Sequence, residues 1–267
     1  MALAPSYAEW VERKPGKKDR RIPDPRGDTE KVHYRIYELL DRVRRPVYLH
    51  SATRHRSNVT NARAHLGSVP CVTTDMKACY ESTTIFQVQA FYEKALNITP
   101  DVAWKLAGIC TVRGHLPTGS CLSPLLAYWS HREVFDKIEA LCDELEVTMT
   151  LYVDDLTFSG VHANLSLLHK FKDMLRGVGI QTHKEKQFGP RQVKHVTGVA
   201  ITPKGLAVEN RKLRAIVVRL DELLATEPIQ RTDVAKKLTG QIAAASAISK
   251  RTANGLRARR SRLLSTE

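Results

Sequence analysis

The sequence contains no apolar run approaching the ~20 residues that a membrane-spanning helix requires. Its first residues, Met1-Ala2-Leu3-Ala4-Pro5-Ser6, hold no basic segment followed by an apolar stretch, so no secretory signal is expected. Cysteine is scarce and odd in number: Cys71, Cys79, Cys110, Cys121 and Cys142 never fall as C-x-x-C. That argues against a disulfide frame or a zinc site and for reduced thiols in a cytosol. The ten histidines, His33 and His169 among them, lack ligand spacing and are expected at the surface or in hydrogen bonds. No internal repeat and no low-complexity linker is visible. Acidic residues are also in deficit, 28 against 42 Lys and Arg, which leaves a formal net charge of +14. Such an excess implies a polyanionic partner, either nucleic acid or an anionic membrane surface. With 267 residues the chain can form one large domain or two small ones.

Residues 8–26 read as two short extended arms around Pro15-Gly16, with Lys14 before the turn and Arg20 and Arg21 after it. This is either a disordered basic tail or targeting patch, or a hairpin that grips phosphates. Val32, Ile36, Leu39, Leu40 and Val43 recur at helical spacing, and Arg44-Arg45-Pro46 ends that helix. The polar and cationic stretch 50–65 fits a solvated face. Val69 to Met76 is a short apolar strand. Helices follow around Ile85 to Leu96 and from Asp101. After the loop Gly114 to Cys121, one helix is expected from Ser123-Pro124 to about Leu145. Leu167 to Leu175 is a further amphipathic helix, stopped by Gly177 and Gly179. Ile180 to Lys186 and His195 to Ile201 read as strands. The last sixty or so residues read as a helical subdomain after Pro203-Lys204-Gly205, ending in a basic arm from Lys250 to Arg262.

The pattern from Thr148 to Gly160 stands apart. Val147, Met149 and Leu151 alternate with Thr148, Thr150 and Tyr152, and alternation resumes after Asp154-Asp155 with Leu156 and Phe158. Two strands therefore meet at a tight turn that carries two adjacent carboxylates. Either the turn is simply solvated, or a cation offsets the repulsion of two acids beside apolar surface. A divalent metal suits the second case, because hard cations prefer carboxylate oxygen. Asp75, at the end of another strand, supplies a third carboxylate if the two strands lie side by side in one antiparallel sheet. Two ions ~3.5–4 Å apart would then clamp the attacking and leaving oxygens of a phosphoryl displacement.

Tyr152-Val153-Asp154-Asp155 resembles the Y-x-D-D signature of reverse transcriptases, and Asp75 to Tyr80 resembles their D-x-x-x-F-[FY] motif. Leu116 to Pro124 is similar to L-P-Q-G-x-x-x-S-P. Lys14 to Pro25 resembles K…R-x-I-x-x-P of the fingers hairpin, and Gly179 to Lys186 resembles G-[FY]-x-x-N-x-x-K. Asn61-Ala62-Arg63-Ala64-His65 and Val196-Thr197-Gly198 match N-A-x-x-H and V-T-G, patterns of bacterial retron reverse transcriptases. Thr118 stands where Gln is usual, Cys79 replaces an aromatic, Ser120-Cys121 replaces Ala-Pro and His183 replaces Asn.

The resemblance implies an α+β, right-hand polymerase fold. Residues 1–70 would be fingers, including the basic hairpin 8–26. Residues 71–204 would be an antiparallel-sheet palm flanked by helices, with an interleaved fingers segment at about 84–115. Residues 205–267 would be a helical thumb with a basic tail. It implies that Asp75 and Asp154 hold two Mg²⁺ ions, helped by the Met76 carbonyl and supported by Asp155. Tyr80 would exclude a ribose 2′-OH, and Thr118 and Gly119 would line the nascent base pair. Lys14, Arg20 and Lys186 would face the nucleotide phosphates. Asn61, His65, Val196, Thr197 and Gly198 would bind RNA.

The implied function is RNA-directed DNA synthesis from deoxynucleotide triphosphates. The template would be the cognate noncoding RNA, primed from its own 2′-OH to give branched RNA–DNA. The implied setting is the bacterial cytoplasm, without membrane association, in anti-phage defence with an accessory effector protein. The alternatives are another defence-associated reverse transcriptase and an inactive RNA-binding scaffold.

Overall fold

The computed structural model describes residues 5–13, 16, 19–226 and 231–265. Lys14 therefore lies outside the described residues. Strands β1 (Tyr7–Glu12) and β2 (Arg20–Pro25) pair antiparallel, with Trp10 opposite Ile22. Helix α1 (Asp28–Leu40) follows and buries Thr29, His33 and Leu40. Helix α2 (Asn58–Arg63) starts at a capping box: Ser57 Oγ accepts from the Thr60 N–H and Thr60 Oγ1 accepts from the Ser57 N–H.

The stretch expected as a solvated face is largely turned inward. Asn61 and His65 are fully buried. Arg56 donates to the carbonyls of Pro46, Val47 and Leu49. One guanidinium fork thus serves three acceptors of an irregular loop, a role that residue spacing does not reveal.

The central sheet lies in the order β4-β5-β3-β6, and every pair is antiparallel. Its strands are β3 (Cys71–Met76), β4 (Thr148–Tyr152), β5 (Asp155–Ser159) and β6 (Thr182–Phe188). Between β3 and β4 come α3 (Cys79–Ser82), α4 (Ile85–Leu96), α5 (Pro100–Cys110), α6 (Ser123–Ser130) and α7 (Arg132–Glu144); α8 (Leu165–Gly177) joins β5 to β6. The helix expected from Ser123 to Leu145 is two helices. The chain breaks at His131, a buried residue whose Nε2 shares a hydrogen bond with Thr83 Oγ1 (3.4 Å). Ser123 is the first helical residue rather than the cap, and its hydroxyl donates to Pro117 O (2.6 Å).

Val88, Tyr92, Leu125, Leu126, Phe135 and Ile138 pack with Leu151, Leu156, Phe158 and Phe171 in one core. Removal of this apolar surface from water, worth roughly 25 cal/mol per Å², presses the helices onto the sheet. Both faces of the β4–β5 hairpin are covered, since Thr150 and Thr157 are buried along with Leu151 and Leu156.

Strands β7 (Lys194–Val196), β8 (Val199–Thr202) and β9 (Gly205–Val208) form a separate antiparallel sheet. The strand expected from His195 to Ile201 is folded back on itself at Thr197-Gly198. Both residues have positive φ, 45° and 75°, as a two-residue type I′ hairpin turn requires. Helices α9 (Asn210–Ala225), α10 (Arg231–Ile248) and α11 (Lys250–Ser265) complete the chain and share a core of Ile216, Leu220, Leu238, Ile242 and Ala253. The expected basic arm is thus a docked helix: Ala253 is buried while Arg251, Arg257 and Arg259 face solvent. No helix among the described residues is long and apolar enough to cross a membrane.

Candidate active site

Asp75 is the penultimate residue of β3 and Asp155 begins β5, and the antiparallel register pairs them directly. The two-residue turn between Tyr152 and Asp155 sets Asp154 beside them, and the Met76 N–H donates to the Asp154 carbonyl (2.7 Å). Three carboxylates separated by up to eighty residues thereby meet at one end of the central sheet. The turn is strained: Val153 has φ 58°, a left-handed conformation that β-branched residues disfavour.

The electrostatics are uneven. Asp155 shares a hydrogen bond with Asp75, and its pKa is raised, first by burial, then by that bond and by the charge of Asp154. Asp154 is raised as well, by loss of solvent and by the charge of Asp75. Burial would raise Asp75 too, but the Lys184 ammonium bonded to its Oδ2 and the bond from Asp155 hold it below the usual carboxylate range. Asp75 is thus shifted toward its ionised form, and its two neighbours are shifted the other way. Among the described residues no three His, Cys, Asp or Glu side chains stand as a ready-made metal cage. The Lys184 ammonium is the cation bonded to this cluster.

The other residues singled out from the sequence fall into four places. Tyr80, in α3, is half-buried against the main core, and its phenol pKa is raised by burial and then by Cys79 and Asp154, with Arg20 opposing. Tyr80 and Arg20 therefore both share the electrostatic neighbourhood of the carboxylates. Thr118 and Gly119 lie on the loop before α6. The Gly119 N–H donates to Pro23 O (3.0 Å), joining that loop to β2. A Cβ at Gly119 would come within 2.8 Å of Pro23 O and 3.0 Å of Asp24 Cα, so only glycine allows this approach. Gly119→Ala is expected to push β2 off the loop and lower the melting temperature by roughly 2–10 °C. An unchanged melting curve would refute the close-packing argument. Lys186 is exposed, lies opposite Thr73 in the sheet, and lines a cleft with His195 and Arg211.

Asn61, His65, Val196, Thr197 and Gly198 do come together, but mostly facing one another. His65 Nδ1 bonds Ser159 Oγ and its Nε2 bonds Thr150 Oγ1, both at 2.7 Å. Both ring nitrogens are thereby committed to protein. Asn61 Nδ2 reaches Thr197 Oγ1 (3.4 Å), and Thr197 Oγ1 donates to Asn58 O (2.9 Å). Asn61, His65 and Val196 are fully buried or nearly so. The expectation of direct RNA contact by these three is corrected: they brace α2 against the sheet and the β7–β8 hairpin. Only Thr197 and Gly198, at the turn, keep partial exposure.

Two residues were missed in the sequence. Lys194 is buried, and its ammonium donates to His65 O (3.0 Å) and Gly67 O (2.8 Å), closing the end of α2. Lys184 bonds Asp75, and no motif position marks it. No local signal marks either, because lysines in polar strands usually face water.

No family model matches the chain. It is similar to the retron Ec86 reverse transcriptase of Escherichia coli, 24% identical over 221 residues, which cover 80% of this chain and 68% of that protein. It is also similar to the retron Se72 reverse transcriptase of Salmonella heidelberg (strain 579083-10), 24% identical over 164 residues, covering 59% of this chain and 42% of that protein. A third relative is the retron Mx162 reverse transcriptase of Myxococcus xanthus, 25% identical over 252 residues, covering 81% of this chain and 51% of that protein. The chain thus spans between about two fifths and two thirds of these relatives' lengths.

Among solved structures it resembles apo telomerase from Candida tropicalis truncated from the C-terminal domain, with a TM-score of 0.54 and 13% identity, covering 76% of this chain and 55% of that one. It also resembles telomerase from Candida albicans in complex with a fragment of telomeric RNA, with a TM-score of 0.52 and 10% identity, covering 89% of this chain and 54% of that one. The fold is the right-hand polymerase fold, with mixed helices and antiparallel sheets.

Proposed function

We propose that this chain is the RNA-directed DNA polymerase of a bacterial retron. The observation that carries the reading is the register Asp75 to Asp155 with Asp154 in the adjoining turn. Similarity to three retron reverse transcriptases supports it, as does the charge of +14.

The donor set fits magnesium. All three groups offer hard carboxylate oxygens, and the sheet register and the adjoining turn set them at one end of the sheet. Asp75 and Asp154 would hold two Mg²⁺ ions, with the Met76 carbonyl assisting and Asp155 in support. When bound, the ions would lower the pKa of a primer hydroxyl and neutralise leaving pyrophosphate.

The remaining roles belong to the chain itself. Arg20 and Lys186 supply cations toward nucleotide phosphates, as does Lys14, which lies outside the described residues. The Tyr80 ring crowds a ribose 2′-OH and so selects deoxynucleotides. Thr118 and Gly119 border the nascent base pair. The β7–β8 turn at Thr197-Gly198 and the solvent-facing arginines of α11 present donors and charge to structured RNA, which proteins read through shape, loops and 2′-hydroxyls.

The template in this reading is the cognate noncoding RNA. Synthesis is primed from an RNA 2′-OH, giving a branched RNA–DNA product. The setting is anti-phage defence in the bacterial cytoplasm, together with an accessory effector protein. The test is sequencing of the nucleic acid that co-purifies with the protein, alongside Mg²⁺-dependent deoxynucleotide incorporation on RNA transcribed from beside its gene. DNA joined to that RNA is the expected result. Absence of Mg²⁺-dependent synthesis on any template would reject the polymerase, and unbranched DNA copied from other templates would reject the retron.

A further inference from the structure

We propose that Lys184 is a built-in counter-cation of the carboxylate cluster, one that holds Asp75 until a divalent ion takes its place. The inference rests on the polymerase reading above and adds a residue that the motif comparison passes over.

Three independent observations point to it. The first is the sheet register. β6 pairs with β3 so that Asp75 faces His183 while Thr73 faces Lys186. Two steps along β3 thus match three along β6, and β6 carries one extra residue, a β-bulge. Lys184 lies in that bulge with φ 57°, a left-handed conformation for which a lysine has no preference. A strand that tolerates such a residue beside a site re-aims a side chain by doing so.

The second is where the re-aimed chain goes. Its ammonium bonds Asp75 Oδ2, and the His183 imidazole stands 3.9 Å from the same oxygen. The third is exposure. The Lys184 side chain is 63% exposed while that of Asp75 is 22% exposed. A flexible four-carbon stem in water can withdraw without disturbing the sheet, whereas the carboxylate stays fixed.

An ammonium on a prospective metal ligand must be displaced before an ion can use that oxygen. Lys184 therefore lowers the intrinsic cation affinity of the nucleic-acid-free protein while keeping the carboxylates from repelling one another.

The test titrates the full chain, without nucleic acid, with Mn²⁺ and reads free Mn²⁺ by electron paramagnetic resonance. Lys184→Gln is expected to bind Mn²⁺ about fivefold more tightly than wild type, the scale of one partly exposed ion pair. Lys184→Arg keeps the charge and should stay near wild type. Lys184→Gly, which suits the positive φ, should match Gln and covers the case in which Gln misfolds. In an Asp75→Asn background the gain should vanish. Wild-type affinity in both the Gln and Gly variants would overturn the proposal, as would a gain that survives Asp75→Asn. Incorporation of deoxynucleotides by the wild type is scored separately. Synthesis with unchanged Mn²⁺ affinity in the variants sinks only the lysine role. Tighter Mn²⁺ binding without any synthesis sinks only the polymerase reading.

Discussion

Asp154→Asn is expected to cut magnesium-dependent deoxynucleotide incorporation by on the order of a hundredfold to a thousandfold. The substitution keeps the shape of the turn, because the Met76 N–H bonds the backbone carbonyl of Asp154 and not its side chain. What it removes is one negative charge from a cluster in which Asp154 and Asp155 are both raised in pKa by loss of solvent and by neighbouring acids. Relief of that repulsion means that the variant should fold as well as the wild type. Retained RNA binding together with lost synthesis would separate chemistry from assembly. Asp155→Asn should have a smaller effect, since Asp155 already shares its hydrogen bond with Asp75 and acts beside the site. Wild-type incorporation by Asp154→Asn would end the polymerase proposal.

Acid should unfold this protein, and His65 should carry much of the effect. Burial pushes the pKa of His65 down to about 3, and that of His131 down to about 4, from an ordinary value near 6.5. Between those limits the unfolded chain binds protons at these imidazoles and the folded chain does not. Stability therefore rises with pH across the window and is lost as pH falls below about 6.5, with a slope of about 1 kcal/mol per pH unit for each buried imidazole. Asp155 works in the opposite sense. Its raised pKa favours the folded state at low pH, and that contribution fades as pH rises.

His65→Gln isolates the histidine term. Its amide can still donate and accept between Ser159 and Thr150, yet it does not titrate. The difference in melting temperature between wild type and variant should shrink or reverse as pH falls from 7 toward 5. A difference independent of pH would show that His65 is not held neutral in the folded protein.

The near-neutral imidazole also explains how the N-A-x-x-H segment works here. A charged ring between two hydroxyls would be costly to bury. A neutral ring donates on one side and accepts on the other, joining the end of α2 to both strands of the carboxylate hairpin. The segment therefore supports the site from behind rather than meeting RNA itself. The buried Lys194 adds a second tie to the same helix end.

The sequence by itself determined the helices with clear apolar spacing, the Asp-Asp hairpin and the pairing of its strands. Those features rest on hydrogen bonds and side-chain alternation between near neighbours, so a short window contains all that decides them. The resemblance to reverse transcriptase motifs matched Asp75 to Asp154 and Asp155, and the antiparallel pairing of β3 with β5 brings Asp75 opposite Asp155. Tertiary structure alone decided the rest. His65 meets Thr150 across 85 positions and Asn58 meets Thr197 across 139, so whether such a polar residue faces water depends on partners that no local pattern reports. The break at His131 follows from burial of a polar ring against Thr83, and the need for glycine at 119 from the passage of β2 beside it. That Lys184 reaches Asp75 turned on one extra residue in β6. A bulge shifts every side chain after it, and only the partner strand reveals where it lies.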